Sequence, residues 1–162
     1  MNAETSKFIQ FTRHPLKFRI FLFTKLPSAF FSGLRVRALD EAHCVVSVPF
    51  TWFSKNPFGS TYFACLSMAA EMSTGVLGLM HIHNRKPGVS MLVRHLEASF
   101  FKKAVRPTFF TCRDGAAIFN AVEKAILTGE SQEVIARSEG LDAQGQTIAT
   151  FLVTWSFKTR KH

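Results

Sequence analysis

Hydrophobic positions near the start of the chain follow a helical spacing. Leu16, Ile20 and Phe23 recur at i, i+4 and i+7, which predicts an amphipathic helix that is opened by Pro15 and ends before Pro27. Its polar side carries three basic residues: Lys17, Arg19 and Lys25. We expect this helix to pack on the edge of the domain, with a membrane-surface anchor as the alternative. Residues 1–14 are mixed in character and predict no element.

Alternating apolar and polar positions predict strands in the rest of the chain. The first two strands should form a hairpin around a turn at residues 40–42. A shorter helix is predicted over residues 115–127, where Ile118, Val122 and Ala125 have helical spacing. The predicted strands cover residues 34–39, 44–48, 89–101, 108–113, 133–139 and 147–157.

The longest apolar segment predicts one central helix, from Tyr62 to about His81. It is apolar nearly all round and rich in small residues, so it should be buried on nearly all sides. Strands joined by hairpins argue for an antiparallel sheet, and one long helix against a sheet gives a two-layer α+β domain. We predict a single domain over residues 1–162, with a helical extension at 1–26 and a core at 27–158.

The composition is that of a globular protein in a reducing compartment. Apolar residues make up 47% of the 162 residues and Phe occurs 18 times, which excludes a disordered chain. Three cysteines without C-x-x-C spacing argue against a disulfide framework or zinc knuckle and favour the reducing cytoplasm. The apolar run at 20–23 is too short for a secretory signal. A membrane span over 57–82 is disfavoured because that segment contains Glu71.

The formal net charge of +9 favours a polyanionic partner: nucleic acid, an anionic membrane surface or a phosphate-bearing small molecule. Nucleic acid is the weakest of these, because the basic residues are scattered and no aromatic–basic motif of an RNA-binding module is present. His81, His83 and His95 lack the spacing of metal ligands, so no metal site is predicted. The sequence also contains no Gly-rich phosphate loop and no nucleophile elbow.

Candidate chemistry gathers on the central helix. Glu71 is a lone carboxylate in an otherwise apolar segment. Burying an unpaired charge is costly, so Glu71 should be hydrogen-bonded, at an interface or in a cleft. The helix N-terminus near Gly59–Thr61 presents free backbone N–H groups, a site for a developing oxyanion or a thioester carbonyl. A buried structural acceptor is the alternative role for Glu71.

The segment at residues 56–75, NPFGSTYFACLSMAAEMSTG, resembles part of the hot-dog-fold acyl-CoA thioesterases. Asn56 and Gly59 stand where many of those enzymes carry an Asn and a Gly. Tyr62 stands at the position of their His. Glu71, nine residues after Tyr62, stands at the position of their carboxylate.

A nearer resemblance is to the DUF4442 family of thioesterase-like proteins, over about residues 25–158. The chain is similar to that group in the block above, in SML, in EASFFKKA at Glu97–Ala104 and in TWSFK at Thr154–Lys158. Ser90 matches a Ser that helps to place water in some hot-dog relatives. Phe63–Ala64 replaces a pair of glycines that many of them carry.

The resemblance implies a long helix wrapped by a curved antiparallel sheet of five or six strands, in protomers that pair edge to edge. It implies a homodimer, with a tetramer left open, whose sites lie at the interface. The substrate would be an acyl-CoA with its acyl chain in an apolar tunnel. Glu71 would be the general base on water or the nucleophile, and coenzyme A would enter only as part of the substrate, without a further cofactor.

Three residues join Glu71 as catalytic candidates by the same resemblance: Asn56, Tyr62 and Ser90. Each also has a structural alternative. Asn56 would hold a turn, Tyr62 would be a core or interface aromatic, and Ser90 would start a strand. A phenol with a pKa near 10 cannot replace His as an acid–base group, but it can donate a hydrogen bond to the carbonyl. Further substrate contacts are expected at the helix start and at three cations beside the phosphates of coenzyme A: Gly59, Ser60, Thr61, Lys102, Lys103 and Arg106. The alternative for the cations is a solvated edge.

Two functions therefore stand side by side. The first is a thioesterase that hydrolyses acyl-CoA or a related thioester. The second is a non-catalytic module that binds acyl-CoA or another lipid. This function is suggested by Tyr62 at the position of the His and by Phe63–Ala64 at the position of the Gly pair.

Overall fold

The structure, a computed structural model, describes residues 3–160. A 3-10 helix at Trp52–Ser54 precedes the central helix. The α-helices are Ala3–Arg13 (α1), Pro15–Lys25 (α2), Pro27–Phe31 (α3), Phe63–Ile82 (α4) and Gly115–Thr128 (α5). The strands are Arg35–Leu39 (β1), Cys44–Val48 (β2), Val89–Phe100 (β3), Thr108–Cys112 (β4), Gln132–Leu141 (β5) and Thr147–Thr159 (β6).

The strands of the described chain form one curved antiparallel sheet in the order β1-β2-β4-β5-β6-β3. The predicted hairpin between β1 and β2 is confirmed, with Leu39 opposite Cys44. One face of β6 is fully apolar and buried, and it packs toward α4 through Phe151, Val153, Trp155 and Phe157. A central helix wrapped by such a sheet is the hot-dog fold, so the predicted α+β class and fold are confirmed.

The central helix α4 matches its predicted bounds within one residue at each end. Most of its residues are buried, and its buried hydroxyls are satisfied: Ser73 bonds Ser138 at 2.7 Å, and the Trp155 indole donates to Thr74 at 2.8 Å. Among the described helices, only α4 is long and apolar enough to cross a membrane, and 67% of its most apolar window is buried inside the domain. It is the core helix of this fold.

Close packing at Gly140 makes one stability prediction. A Cβ on Gly140 of β5 would lie 2.4 Å from Cε1 of Phe110, whose side chain is fully buried against Phe151 at a ring-centroid distance of 5.6 Å. Gly140→Ala should therefore destabilise the fold by about 1–3 kcal/mol. The measurement is denaturant unfolding. The matched control is Gly88→Ala, whose Cβ would meet its nearest neighbour at 3.6 Å and should change little. Equal midpoints for the two variants would contradict the packing argument.

The first helix, α1, was not predicted, because residues 1–14 show no obvious apolar pattern. The structure buries Thr5, Phe8, Ile9 and Thr12, which have the spacing i, i+3, i+4 and i+7 of one helical face. Two of these four residues are threonines, which are not apolar, so the buried face of α1 does not show as a hydrophobic stripe in the sequence. The Thr12 hydroxyl is satisfied within α1 by the Phe8 carbonyl at 2.9 Å.

The second helix, α2, confirms the predicted bounds but not the predicted packing face. Phe18 and Leu22 are buried, whereas Leu16, Ile20 and Phe23 are more than half exposed. Apolar residues lie on both sides of α2, so spacing alone could not select the side that faces the core. Pro27 ends α2 as predicted, but it also opens the five-residue helix α3, since proline suits the first turn of a helix.

Candidate active site

The loop before α4 is built by the side chain of Asn56. Its Oδ1 accepts hydrogen bonds from the backbone N–H groups of Phe58 at 3.0 Å and Ser60 at 3.1 Å, and its Nδ2 donates to the Ser60 hydroxyl at 3.0 Å. Gly59 completes the turn with a φ of +74°, which favours glycine. Asn56 therefore holds the loop in this chain, which agrees with its structural alternative.

Thr61 ties this loop to the segment that follows β3. Both its backbone N–H and its hydroxyl donate to the Ala104 carbonyl, at 2.8 Å and 3.0 Å. Lys103, one residue earlier, reaches the Phe58 carbonyl with its Nζ at 3.5 Å. The structure thus brings the predicted cationic segment to the start of α4. Lys102, Lys103 and Arg106 line a cavity of about 300 Å³ beside it.

Tyr62 is the N-cap residue of α4, but its side chain caps no N–H group. Its own N–H donates to the Ser54 carbonyl at 2.7 Å, and its ring lies edge-on against Phe63 at 5.0 Å. The ring is 46% exposed. Within residues 3–160 the phenol hydroxyl makes no hydrogen bond, so it is available to a ligand.

The prediction of free N–H groups at Gly59–Thr61 is wrong: these amides donate to the Asn56 carbonyl, the Asn56 Oδ1 and the Ala104 carbonyl, because the loop folds back on Asn56 before the helix begins. The available amides are instead the first two of α4. The N–H groups of Phe63 and Ala64 precede the first intrahelical donors, which are those of Cys65 and Leu66 to the Tyr62 carbonyl. No acceptor in the described chain faces either of them. Two free N–H groups at the positive end of a 20-residue helix can hold an oxyanion or a polarised carbonyl oxygen.

Glu71 lies two turns farther along α4, on the side that faces β6. Its Oε1 lies 3.2 Å from the point that a Cβ on Gly75 would occupy, and Cζ2 of Trp155 lies 3.1 Å from the same point. Gly75 therefore leaves the space in which the carboxylate and the indole edge meet. A Cβ on Gly78 would lie 2.8 Å from Cε of Met91 on β3. The side of α4 that carries Glu71, Gly75 and Gly78 therefore packs against the β6–β3 end of the sheet.

The Glu71 carboxylate has no hydrogen-bond partner in the part of the chain that the structure describes. Burial removes water from it and raises its pKa above the ordinary value of 4.5. Unpaired buried carboxylates with a raised pKa are typical of general bases and of groups that await a ligand. The expectation that Glu71 lies in a cleft or at an interface stays a prediction.

Glu71 follows Phe63 by eight residues and Ala64 by seven on one helix, which places it about 10 to 12 Å from their amides along the axis. Glu71 and these amides do not touch, so a reacting group would have to lie between them or between Glu71 and the amides of a second chain. Ser90 is not part of this arrangement. Its hydroxyl donates to the Lys158 carbonyl at 3.0 Å, on the face of β3 opposite to Met91.

A large apolar cavity of about 740 Å³ lies between the N-terminal helices and α4. From α4 it is lined by Met72, the residue after Glu71, and by Val76 and Leu79. Its lining also includes the basic residues Lys7, Arg85 and Arg160. The sequence pattern did not predict this cavity, because it did not predict helix α1, whose Phe8 and Phe11 form one wall. Among the described residues, no group of three or more His, Cys, Asp or Glu side chains converges as metal ligands would.

Solved structures share this fold. A Pseudomonas aeruginosa protein described as a probable thioesterase matches with a TM-score of 0.75 and 21% identity, over 90% of this chain and 97% of its own. A second P. aeruginosa protein, a thioesterase, matches with a TM-score of 0.67 and 13% identity over 91% and 96%. A thioesterase of Haemophilus influenzae matches with a TM-score of 0.64 and 12% identity over 89% and 90%.

These identities establish the hot-dog fold, and the resemblance to the DUF4442 family stays a prediction. No protein-family model matches the sequence. No curated protein matches it either.

Proposed function

We propose that this protein is a thioesterase that hydrolyses acyl-CoA or a related thioester, with Glu71 as the general base or the nucleophile. The observation that carries the proposal is the unpaired, partly buried carboxylate of Glu71 on the helix whose first amides are free. The thioesterase descriptions of proteins with the same fold support it.

In the general-base route, Glu71 takes a proton from water and the water oxygen attacks the thioester carbonyl carbon. A raised pKa makes the carboxylate a stronger base than an ordinary Glu. The negative charge that develops on the carbonyl oxygen is held by the N–H groups of Phe63 and Ala64 of the second copy of the chain, which is proposed below to complete the site. The carbon–sulfur bond then breaks, and the thiolate of coenzyme A leaves and takes up a proton. In the nucleophilic route, a Glu71 oxygen attacks the same carbon, the carbon–sulfur bond breaks and the thiolate of coenzyme A leaves and takes up a proton; water then hydrolyses the acyl–Glu71 anhydride to the free acid and the Glu71 carboxylate.

We propose that the site is completed by a second copy of the chain. Strand β3 is a 12-residue edge strand paired only with β6, and nine of its residues are exposed. Leu96 and Phe100 lie on its inner face, opposite Val153 and Ala149 of β6, and are 41% and 49% exposed. Long apolar edge strands are sites of strand pairing. Pairing of two β3 edges would cover these side chains and place the Glu71 side of each α4 at the interface.

Lys102, Lys103 and Arg106 would contact the phosphates of coenzyme A, since all three line one cavity, together with Asp142, and Lys103 reaches the loop that starts α4. The cavity lined by Met72 and Val76 offers room for an acyl chain. We further propose that the protein acts as a homodimer in the cytoplasm, without a cofactor beyond the coenzyme A of its substrate and without a nucleic-acid partner. The cysteines of the chain are all buried free thiols, as suits a reducing compartment.

The role of the amides can be tested by Phe63→Pro. Proline at the first position of a helix removes the N–H with little harm to the helix, and the extended ψ of 134° at Tyr62 suits a following proline. We expect a loss of about 100-fold or more in kcat, as for other oxyanion donors. The matched control is Phe63→Ala, which removes the ring and keeps the N–H. An equal loss in both variants, measured by thiol release, would contradict a role for this amide.

A second candidate function is binding of acyl-CoA or lipid without turnover. It is favoured by the hydrogen bonds of Asn56 and Ser90, which engage two of the four predicted catalytic groups within the chain. In that case native protein and Glu71→Gln would bind acyl-CoA with equal affinity, and neither would release free thiol. Calorimetric titration alongside the hydrolysis assay separates the two functions.

A further inference from the structure

The outer side of α2 carries an exposed apolar stripe. Leu16, Ile20 and Phe23 lie on one face of this helix and are 64%, 54% and 53% exposed. The opposite face of α2 already fills the core through Phe18 and Leu22. Phe23 contacts the rings of Phe30 and Phe31 on α3, yet the stripe as a whole lies outside the core.

Aromatic contacts extend this stripe beyond α2. Phe23 contacts Phe31 with ring centroids 6.2 Å apart, Phe31 stacks on Phe53 at 5.9 Å, and Phe53 contacts Trp52 at 6.2 Å. Trp52 is 88% exposed. The whole surface, called the N-terminal apolar face below, consists of Leu16, Ile20, Phe23, Phe31, Trp52 and Phe53. Contiguous exposed apolar surfaces of this kind mark sites of interaction with another protein or with a membrane.

The segments that carry this face contain only basic charges. Residues 14–39 include no Asp or Glu, and none occurs from 50 to 60. Lys17 and Lys25 are exposed on α2 itself, and Lys55 follows the 3-10 helix that carries Trp52. A second copy of the chain seated on this face would bring its own lysines against these. An anionic surface complements both the lysines and the apolar side chains.

Lipid is also the occupant that fits the neighbouring cavity. The inner face of α2 lines the 740 Å³ apolar cavity, and Leu26 at the end of α2 belongs to its wall while remaining 44% exposed. Apolar surface therefore continues from the outside of α2 into the interior. We propose that the N-terminal apolar face docks the protein onto an anionic lipid bilayer, with Trp52 and Phe23 inserted at the level of the headgroups.

The test is co-sedimentation of the full chain with vesicles of phosphatidylcholine alone and of equal parts phosphatidylcholine and phosphatidylglycerol. We expect binding to the anionic vesicles that weakens with added salt. A triple variant, Ile20→Ser, Phe23→Ser and Trp52→Ser, should lose binding on the order of tenfold or more. Leu127→Ser, which removes an 87% exposed side chain on α5, should bind as the native chain does.

A second variant keeps the test independent of folding. Lys17→Gln with Lys25→Gln leaves the apolar side chains intact and should weaken binding to anionic vesicles only. Hydrolysis of a short, water-soluble thioester should stay unchanged in both variants, so failure here is distinct from failure of the proposed activity. Native protein that sediments with neither vesicle would overturn the proposal. So would a triple variant whose only change is a smaller oligomer in solution, since a second copy would then cover this face.

Discussion

Replacing Glu71 by Gln is expected to lower thioester hydrolysis by about 100-fold or more, because Gln cannot accept the proton of water or attack a carbonyl. The same change should make the fold more stable at neutral pH. Gln has the shape of a protonated Glu, and it removes a partly buried charge that has no hydrogen-bond partner among the described residues. Loss of activity together with gain of stability is the signature of a side chain kept for its chemistry.

The stability effect has a defined pH dependence. Burial raises the pKa of Glu71 in the folded state above its ordinary value of 4.5. Between 4.5 and the raised pKa, the folded chain holds a proton that the unfolded chain has lost, so the free energy of unfolding falls as pH rises. Above the raised pKa this contribution stays constant. The thermal midpoint of Glu71→Gln should therefore exceed the native midpoint at neutral pH, and the difference should shrink as pH falls toward 4.5.

Glu130→Gln is the matched control for both measurements, since Glu130 is exposed in the turn after α5. It should leave hydrolysis and the thermal midpoint as in the native chain. A Glu71→Gln variant that loses stability at every pH would indicate that the carboxylate is a structural acceptor, and the assignment of Glu71 as the base would then fail.

Replacing Leu96 by Glu is expected to separate the proposed dimer. Leu96 lies on the inner face of the open edge strand β3, and its exposed part would be covered by the second chain. An unpaired carboxylate buried there would cost about 3 kcal/mol or more. That cost raises the dissociation constant by on the order of 100-fold. Sedimentation equilibrium should give twice the chain mass of 18.2 kDa for the native protein, and hydrolysis by the variant should fall as it dissociates.

Leu127→Glu provides the control, because Leu127 is 87% exposed on α5 and lies outside β3. It should keep both the native mass and the native rate. A Leu96→Glu variant that is monomeric and fully active would show that one chain contains the complete site. A native protein that is monomeric at every concentration would contradict the dimer itself.

The sequence predicted those elements well whose hydrophobic pattern allows only one way of packing against the core. The helix α4 is apolar on all sides, so any fold must bury it, and β6 alternates over its whole length with one apolar face. The N-terminal helices differ. On α1 two threonines interrupt the buried stripe, and on α2 both sides are apolar, so only tertiary contacts decide that Phe18 rather than Ile20 enters the core.

The candidate site divides in the same way. Free amides at the start of α4 follow from helix geometry, but their position at Phe63 and Ala64 rather than at Gly59–Thr61 depends on the loop that Asn56 holds. The place of Glu71 on a buried helix follows from the sequence, whereas its lack of a hydrogen-bond partner among the described residues does not. The engagement of Asn56 with Ser60, and of Ser90 with Lys158, depends on contacts that residue spacing does not encode. A site shared between two chains also lies beyond what one sequence specifies, since its geometry belongs to the pair.

Hydrolysis by Glu71 is measured by incubating purified native protein with acyl-CoA substrates of increasing chain length and following the release of free thiol. We expect turnover by the native chain that rises with pH as Glu71 loses its proton, and turnover lower by about 100-fold in Glu71→Gln. Thiol release by the native chain that does not exceed that of Glu71→Gln at any chain length would contradict hydrolysis by Glu71.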